Sequence, residues 1–370
     1  MNRQTPLVVL AAGGTGGHVF PAEALAGELL GRGHRAVLVT DRRGRAFGGT
    51  LGRLQTYRIN AGGVAGRGAL GRLRGLFEVC MGFFQARSLL RRLRPALVIG
   101  FGGYAAAPTV AAAAQAGIAT AIHEQNAVLG RANRLLAPRV DHIATSFREV
   151  RLLDAGKATL TGMPVRPAIA ALRGIPYPAL DVGGPIRLLV LGGSQGARVF
   201  SEVLPAALER LPDPLRRRLD VCQQCRPEDL EAVRAAYDRL GIAATLSSFF
   251  RDVPERLAAA HLVIARSGAS TVAELTVAGR PAILVPYPYA IDDHQTANAH
   301  AVDEAGGAWL VPQPSFTAET LAARLEALFT APGTLNRAAA CAFDAGRPDA
   351  AARLADLVAE MIGRPQEVPL

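Results

Sequence analysis

Near the start of this 370-residue chain a histidine, His18, closes the run Gly13-Gly14-Thr15-Gly16-Gly17. An imidazole that titrates near neutrality can take a proton from a hydroxyl. Glycines ahead of a helix expose backbone N–H groups where the helix dipole favours phosphate by about 0.3–1 kcal/mol at exposed sites. A second turn, Gly192-Gly193-Ser194-Gln195-Gly196, repeats the pattern, and Thr15 and Ser194 add a hydroxyl to each. The same composition also serves a tight strand-to-helix turn that binds nothing. Neither turn places a glycine at the last position of the G-x-G-x-x-G fingerprint, which disfavours nicotinamide and flavin chemistry, and Lys157-Ala158 does not end a P-loop.

Other polar residues gather in short stretches that follow apolar runs. Gly100–Tyr104 (GFGGY) and His123–Asn126 (HEQN) add Tyr104, His123 and Glu124 to His18, so His18 and Glu124 are the candidates for general-base work. A lone histidine can equally be structural. In Arg266–Leu275 (RSGASTVAEL), Ser267, Ser270 and Thr271 either cap a helix or contact phosphate. Glu274, about one turn in, either accepts the hydroxyls of a ribose or stabilises its own helix. Asp293, His294, Gln295 and Asn298 suit sugar hydroxyls. The chain has no D-x-D pair and this cluster has no evident third ligand, so no metal is expected there. Cys222 and Cys225 have no second pair or histidine cluster to complete a zinc site.

The elements that must position these residues show as a repeat. Leu7–Leu25 and Ile186–Leu204 each run from a short apolar stretch through a glycine turn into spaced apolar residues, which is one strand, one turn and one helix. Strand-like runs recur at 36–40, 97–100, 119–123 and 143–146, then at 188–191, 262–265, 282–285 and 309–311. Strand alternating with helix predicts an α/β chain of two Rossmann-like domains, with parallel sheets facing across a cleft and the glycine turns at strand C-termini. The expected bounds are 1–165 for the first domain, 166–185 for a proline- and glycine-rich linker and 186–340 for the second. A C-terminal helical stretch, 338–362, lies largely in a segment 341–370 expected to pack back on the first domain.

The formal net charge is +10 and Lys157 is the only lysine, so arginine carries nearly all of it. That charge suits an anionic nucleotide, a diphosphate lipid or an anionic membrane. Sparse aromatics and the lack of a zinc-finger or RNA-binding signature argue against nucleic acid. There is no secretory pattern and no membrane-length apolar run, so a cytoplasmic protein is expected. Leu70, Leu73, Leu76, Phe77, Phe83 and Phe84 lie among Arg67, Arg72, Arg74 and Arg87. This is either a buried helix with a solvated face or a basic, apolar patch for an anionic membrane.

Taken in order, GGTGGH, GFGGY, HEQN, GMPVR (Gly162–Arg166), GGSQGAR, RSGASTVAEL and HQTANA resemble the MurG family of bacterial peptidoglycan glycosyltransferases, from about Leu7 to Ala299. Its members are UDP-N-acetylglucosamine:undecaprenyl-pyrophosphoryl-N-acetylmuramoyl-pentapeptide N-acetylglucosaminyltransferases. The resemblance implies a GT-B fold and donor contacts from Thr15, Gly16, Gly17, Asn126, Arg166, Ser194, Phe250, Ala269, Ser270, Thr271, Val272, Ala273, Glu274 and Gln295. Glu274 would hold the ribose, Gln295 the GlcNAc hydroxyls and Phe250 the uracil, while Tyr104 and His123 would face the acceptor. One departure is Cys222-Gln-Gln-Cys225-Arg226, where the resemblance leads one to expect His-Gln, a small residue, Gly and Lys.

The implied reaction is a single inverting displacement that needs no cofactor or metal. UDP-GlcNAc and a lipid-linked muramoyl pentapeptide would be its substrates, on the cytoplasmic face of the inner membrane and with cell-wall synthesis proteins as partners. The rival readings are a GT-B diacylglycerol glycosyltransferase, a UDP-GlcNAc 2-epimerase and a sugar-nucleotide sensor.

Overall fold

The computed structural model describes residues 5–13, 16–41, 49–62, 69–103, 105–193 and 196–363. The chain divides into two units, Met1–Arg166 with Asp349–Leu370, and Pro167–Pro348.

The first unit begins with β1 (Leu7–Ala11), α1 (Gly16–Gly31), β2 (Arg35–Asp41), β3 (Gln55–Ile59) and α2 (Ala69–Leu93). It continues with β4 (Leu97–Gly100), α3 (Ala106–Gln115), β5 (Ala119–Glu124), α4 (Arg131–Leu136), β6 (His142–Thr145) and β7 (Ala158–Leu160). Its seven strands form one sheet in the order β3-β2-β1-β4-β5-β6-β7, and every pair is parallel. Such strands are covered on both faces and need unbroken apolar runs, as in the fully buried LVVLA of β1 and LVIG of β4. Side chains alternate in the usual way: Val8 and Leu10 join one core layer, Leu7 and Val9 the other.

The second unit contains α5 (Pro167–Ala170), β8 (Ile186–Leu191), α6 (Arg198–Glu209), α7 (Asp213–Arg216), β9 (Leu219–Gln224), α8 (Leu230–Leu240) and β10 (Ala243–Ser247). It goes on through α9 (Val253–Ala259), β11 (Leu262–Ala265), α10 (Ala269–Ala278), β12 (Ala282–Leu284), α11 (His294–Glu304), β13 (Ala308–Leu310), α12 (Ala318–Thr330) and α13 (Pro332–Ala345). Six parallel strands lie in the order β10-β9-β8-β11-β12-β13. One core of aliphatic residues and Phe200, Phe316 and Phe329 joins this sheet to α6 and α12.

The final helical stretch read from sequence as continuous is two helices. α13 stops at Ala345, and α14 (Ala350–Gly363) belongs to the first unit. The break falls on Gly346 and Pro348. Gly346 lies so close to the Thr276 carbonyl that a side chain would collide with it, and Pro348 has no N–H to extend the helix. α14 packs Leu354, Leu357, Val358 and Met361 into the core layer that holds Leu25 and Leu29 of α1. Arg32 fastens it there through Asp356 (2.6 Å) and the Ala352 carbonyl (3.1 Å).

In each sheet the winding reverses beside a central strand, between β1 and β4 and between β8 and β11. Two loops leave neighbouring strand ends at such a point, and open α/β sheets bind ligands there. In the first unit they touch backbone to backbone. Gly13 N–H donates to the Gly102 carbonyl at 3.1 Å, and a Cβ on Gly103 would stand 2.7 Å from Gly13 Cα. Gly103 also has φ +78°, a conformation side-chain-bearing residues rarely adopt. Gly33 has φ +80° but open space around it. Gly33→Ala should therefore cost about 1 kcal/mol, the conformational part alone, and Gly103→Ala at least about 2–3 kcal/mol. Urea denaturation of both variants checks this; equal losses would mean the backbone contact contributes nothing.

Candidate active site

His18 sits in the first turn of α1 with its ring laid on the Gly102-Gly103 backbone, where a Cβ on Gly102 would come within 2.9 Å of Cε1. Its Nδ1 is buried and has no hydrogen-bond partner among the described residues. Burial holds this imidazole below its ordinary pKa, against the opposing pull of the Phe101 backbone and Gln125. A histidine so placed is neutral at pH 7, the form that can accept a proton. Arg166, at the end of GMPVR, rests its guanidinium over the Phe20 ring of α1, 5.2 Å from the centroid. The family-implied Gly16 and Gly17 open α1. Thr15, Tyr104 and Ser194 lie outside the described residues, as does Arg67.

Two of the sequence candidates have a different role. His123 is fully buried at the end of β5, its ring 5.7 Å from Phe101. A carbonyl can only accept, so Nε2–H donates to Gly162 O (3.1 Å) and Nδ1 accepts from the Gln125 amide (3.3 Å). Burial, with the nearby His18, pulls its pKa down to about 4 against the Gly162 hydrogen bond. His123 is thus a strut that ties HEQN to GMPVR, with no surface for an acceptor.

Glu124 is likewise buried, and both oxygens are taken. Oε1 accepts from the Asn126 N–H (3.0 Å) and side-chain amide (3.4 Å), Oε2 from Gly130 N–H (2.9 Å) and Asn133 Nδ2 (2.7 Å). A carboxylate held by four donors has no lone pair directed outward for a substrate proton. Glu124 shapes the loop that carries Asn126, and His18 remains as the candidate base. Asn133 was invisible as a partner from sequence, since nothing in a helix sequence marks which amide turns back on a strand end.

In the second unit the glycine turn is held by a residue that sequence reasoning passed over. Gln224, at the end of β9, accepts from Gly192 N–H (3.1 Å) and donates to the carbonyls of Gly193 (3.0 Å) and Ser248 (3.2 Å). It belongs to the Cys-Gln-Gln-Cys departure, so that departure keeps the amide which fastens the turn. Its cysteines are not bonded to each other: Cys225 is buried, with its thiol pushed up to about 11 by burial, while Cys222 accepts a hydrogen bond from Arg256.

RSGAST and HQTANA are laced together. The Ser267 hydroxyl donates to the Gln295 carbonyl (2.8 Å) and Asn298 Nδ2 donates to the Ser267 carbonyl (3.1 Å), with Ser267 and Asn298 both fully buried. Ser267 is therefore no helix cap; Gly268 holds that position. Asn298 is buried against the Ser267 carbonyl, and His294 Nδ1 is spent on the Ile291 carbonyl (2.8 Å). Along α10, Ala269 and Val272 face the core, while Ser270, Thr271, Ala273 and Glu274 are half-buried. Gln295 is half-buried too, and its oxygen accepts from Tyr287 N–H (2.9 Å). The Phe250 ring is 6% exposed and lies under the Arg256 guanidinium at 4.1 Å, whereas Phe249 is 70% exposed. Phe249 is thus the aromatic whose ring is presented at the end of β10.

Along α2, Leu73, Leu76, Phe77 and Phe84 are exposed, while Gly75, Gly82, Ala86, Leu89 and Leu90 are buried. Leu70 lies in its first turn. Phe83 differs from the expectation: it is half-buried, packs on the core and meets Phe84 edge to face at 5.6 Å. The helix therefore carries an outward apolar stripe as well as a core face. No helix among the described residues is long and apolar enough to cross a membrane.

Comparison with known proteins agrees with this architecture. Residues 8–145 match the glycosyltransferase family 28 N-terminal domain and residues 187–354 the glycosyltransferase family 28 C-terminal domain. The chain belongs to glycosyltransferase family 28. Within family 28 it is 67% identical over 365 residues to a protein of Paramagnetospirillum magneticum, spanning 98% of both chains. It is 62% identical to one of Rhodospirillum rubrum, spanning 95% of this chain and 91% of that one. Both relatives are named UDP-N-acetylglucosamine--N-acetylmuramyl-(pentapeptide) pyrophosphoryl-undecaprenol N-acetylglucosamine transferase.

The crystal structure of MurG from Acinetobacter baumannii superposes with a TM-score of 0.78 at 30% identity, over 96% of this chain and 99% of that one. The resemblance to the MurG family therefore stands. A UDP-GlcNAc 2-epimerase from Neisseria meningitidis, at 11% identity and TM-score 0.66 over 96% and 99% of the two chains, shares the fold alone.

His123 sets an acid limit on stability. Unfolded, a histidine protonates near pH 6.5, whereas the folded His123 resists protonation down to about 4. Stability is therefore undiminished above pH 6.5 and falls on acidification through that window, by about 3 kcal/mol from this group. His123→Gln keeps an N–H donor without the titration. Its urea midpoint should fall less between pH 7 and 4.5 than that of the unsubstituted protein; parallel curves would contradict the strut assignment.

Proposed function

We propose that the protein transfers GlcNAc from UDP-GlcNAc to the C4 hydroxyl of undecaprenyl-pyrophosphoryl-MurNAc-pentapeptide, converting lipid I to lipid II in peptidoglycan synthesis. Near-full-length identity of 67% to a transferase of that name carries the reading. In one displacement the acceptor oxygen bonds to the anomeric carbon, the bond from that carbon to the UDP oxygen breaks, and the α donor gives a β linkage. The acceptor hydroxyl loses its proton to His18. UDP departs as an anion, met by the N–H groups of the glycine turns, by Arg166 and by Ser194. Glu274, on the half-buried side of α10, takes the ribose hydroxyls. Gln295, Asn126 and the Thr15–Gly17 turn hold the remaining polar groups of the donor, and Tyr104 faces the acceptor. Phe250, which the family resemblance sets against the uracil, and the exposed Phe249 beside it supply the apolar contact to the base.

The lipid acceptor lies in a membrane, and we assign the exposed stripe of α2 to an anionic membrane surface. Leu73 and Phe77, each 66% exposed, and Phe84, 63% exposed, are the anchors. Apolar side chains beside arginines bind such an interface by insertion and by attraction to anionic lipid. The protein then works as a peripheral enzyme on the cytoplasmic face, reaching its acceptor by docking.

Removing the base should lower the rate and spare donor affinity. His18→Ala is expected to reduce kcat by about 10²–10⁴ with UDP-GlcNAc binding unchanged by calorimetry, and Glu274→Ala to weaken donor binding with no change in acceptor binding. The acid limb of kcat/KM should fall below pH 6.5, because burial depresses the His18 pKa; a limb above 6.5 would remove His18 from the role. The triple change Leu73→Ser, Phe77→Ser, Phe84→Ser should abolish sedimentation with anionic vesicles while leaving the urea midpoint nearly unchanged. A lowered midpoint would return the stripe to the core.

A further inference from the structure

The segment between β12 and α11, Pro286–Asp293, contains a backbone feature that neither the fold nor the reaction explains. Asp292 and Asp293 are consecutive non-glycine residues in the left-handed region, at φ +55° and +53°. The only other non-glycine residues with positive φ among those described, Arg94 and Leu152, stand singly and belong to the first unit. Asparagine and aspartate tolerate this conformation better than other side-chain-bearing residues, but two in succession persist only where the surroundings demand them.

The surroundings here converge on one amide. At the near end of the segment, the Arg266 guanidinium donates to the carbonyls of Val285 (3.1 Å) and Pro286 (2.9 Å) and stands 5.6 Å from the Tyr287 ring centroid. Two tight turns follow: Ala290 N–H donates to the Tyr287 carbonyl, and Asp293 N–H to the Ala290 carbonyl. At the far end, the Asp293 carboxylate accepts from the Thr296 hydroxyl at 2.7 Å in the first turn of α11. This frame aims the Tyr287 N–H at Gln295 Oε1, 2.9 Å away. Only an oxygen can accept that bond, so the frame fixes which end of the Gln295 amide is which. The carbonyl end turns to the loop and the Nε2 end is left to donate.

We propose that the left-handed corner at Asp292-Asp293 is a positioning device for donor-sugar recognition, acting through the Tyr287 N–H to hold Gln295 as a hydrogen-bond donor toward a sugar hydroxyl oxygen. This rests on the reading of Gln295 as a contact to the transferred sugar. Asp292 and Asp293 are positioning residues in it and touch no substrate. If the corner relaxes, the amide can rotate, and a flipped Gln295 offers the sugar an acceptor in place of a donor. The nucleotide half of the donor is held by other residues and does not sense the change.

The test is calorimetry on the full chain with two probes, UDP and UDP-GlcNAc. Gln295→Ala, Asp292→Val and Asp293→Val should each leave UDP affinity within about twofold and weaken UDP-GlcNAc about tenfold. Asp292→Asn and Asp293→Asn, which accept the left-handed conformation, should restore sugar affinity. Adding Asp293→Val to Gln295→Ala should weaken UDP-GlcNAc no further, because both act on one contact. If a valine variant does not fold, the alanine variant at the same position carries the comparison.

Three outcomes overturn the proposal in distinguishable ways. Additive losses, or equal weakening of both probes, would make the corner a support of the fold alone. Sugar affinity lost in Gln295→Ala but kept in both valine variants would leave Gln295 its role and remove that of the corner. No sugar loss in Gln295→Ala would show that the sugar reading of Gln295 itself had failed.

Discussion

Where two loops leave neighbouring parallel strands at the point of reversal, only backbone fits between them. In the first unit Ala11 and Gly100 are paired neighbours at the ends of β1 and β4. Phe101 N–H donates to the Ala11 carbonyl at 2.8 Å and Gly13 N–H to the Gly102 carbonyl at 3.1 Å. With no Cβ at Gly13, Gly102 or Gly103, the His18 ring can lie directly on this double layer of peptide. The second unit meets the same constraint within one turn. A Cβ on Gly192 would stand 2.5 Å from Ala197 N. The packing that makes the turns glycine-rich also commits their first peptide groups, Gly13 N–H to the Gly102 carbonyl and Gly192 N–H to the Gln224 side chain.

A second constraint follows from burial. Polar residues at strand ends must satisfy the peptide groups that the sheet leaves open, and unsatisfied buried donors and acceptors cost about 1–3 kcal/mol each. His123, Glu124, Gln125, Asn133, Gln224, Ser267 and Asn298 are consumed this way, each bonded to backbone or to a neighbour that is. The motifs are therefore mostly scaffold, and few of their side chains face outward. His18 and Gln295 are half-buried, one depressed in pKa by burial and the other with its oxygen pinned.

The central strands and the glycine turns were legible in the sequence because a strand buried on both faces must be a continuous apolar run. β3, β7 and β10 were not, and all three are sheet edges with partly exposed residues. β9 escaped for another reason: it is internal, but its Cys-Gln-Gln end is polar, with Gln223 accepting from the Tyr237 hydroxyl and Gln224 fastening the neighbouring turn. Motif content marked candidate side chains and could not sort them. His123 and Glu124 read as chemistry because histidine and carboxylate are rare inside a core; their hydrogen bonds, which no spacing encodes, make them struts. Phe83 and Phe84 show the same limit on α2, since adjacent helix positions point about 100° apart and one faces the core while the other faces solvent.

Transfer of radiolabelled GlcNAc from UDP-GlcNAc to a short-chain lipid-linked muramoyl pentapeptide, with diacylglycerol as a parallel acceptor, tests the account most directly. The anomeric configuration of the product would be read by NMR. A β-linked disaccharide lipid formed only with the muramoyl acceptor is the expected result. Label passing to diacylglycerol, or a donor epimerised with no acceptor present, would contradict the account while leaving its two parallel sheets intact.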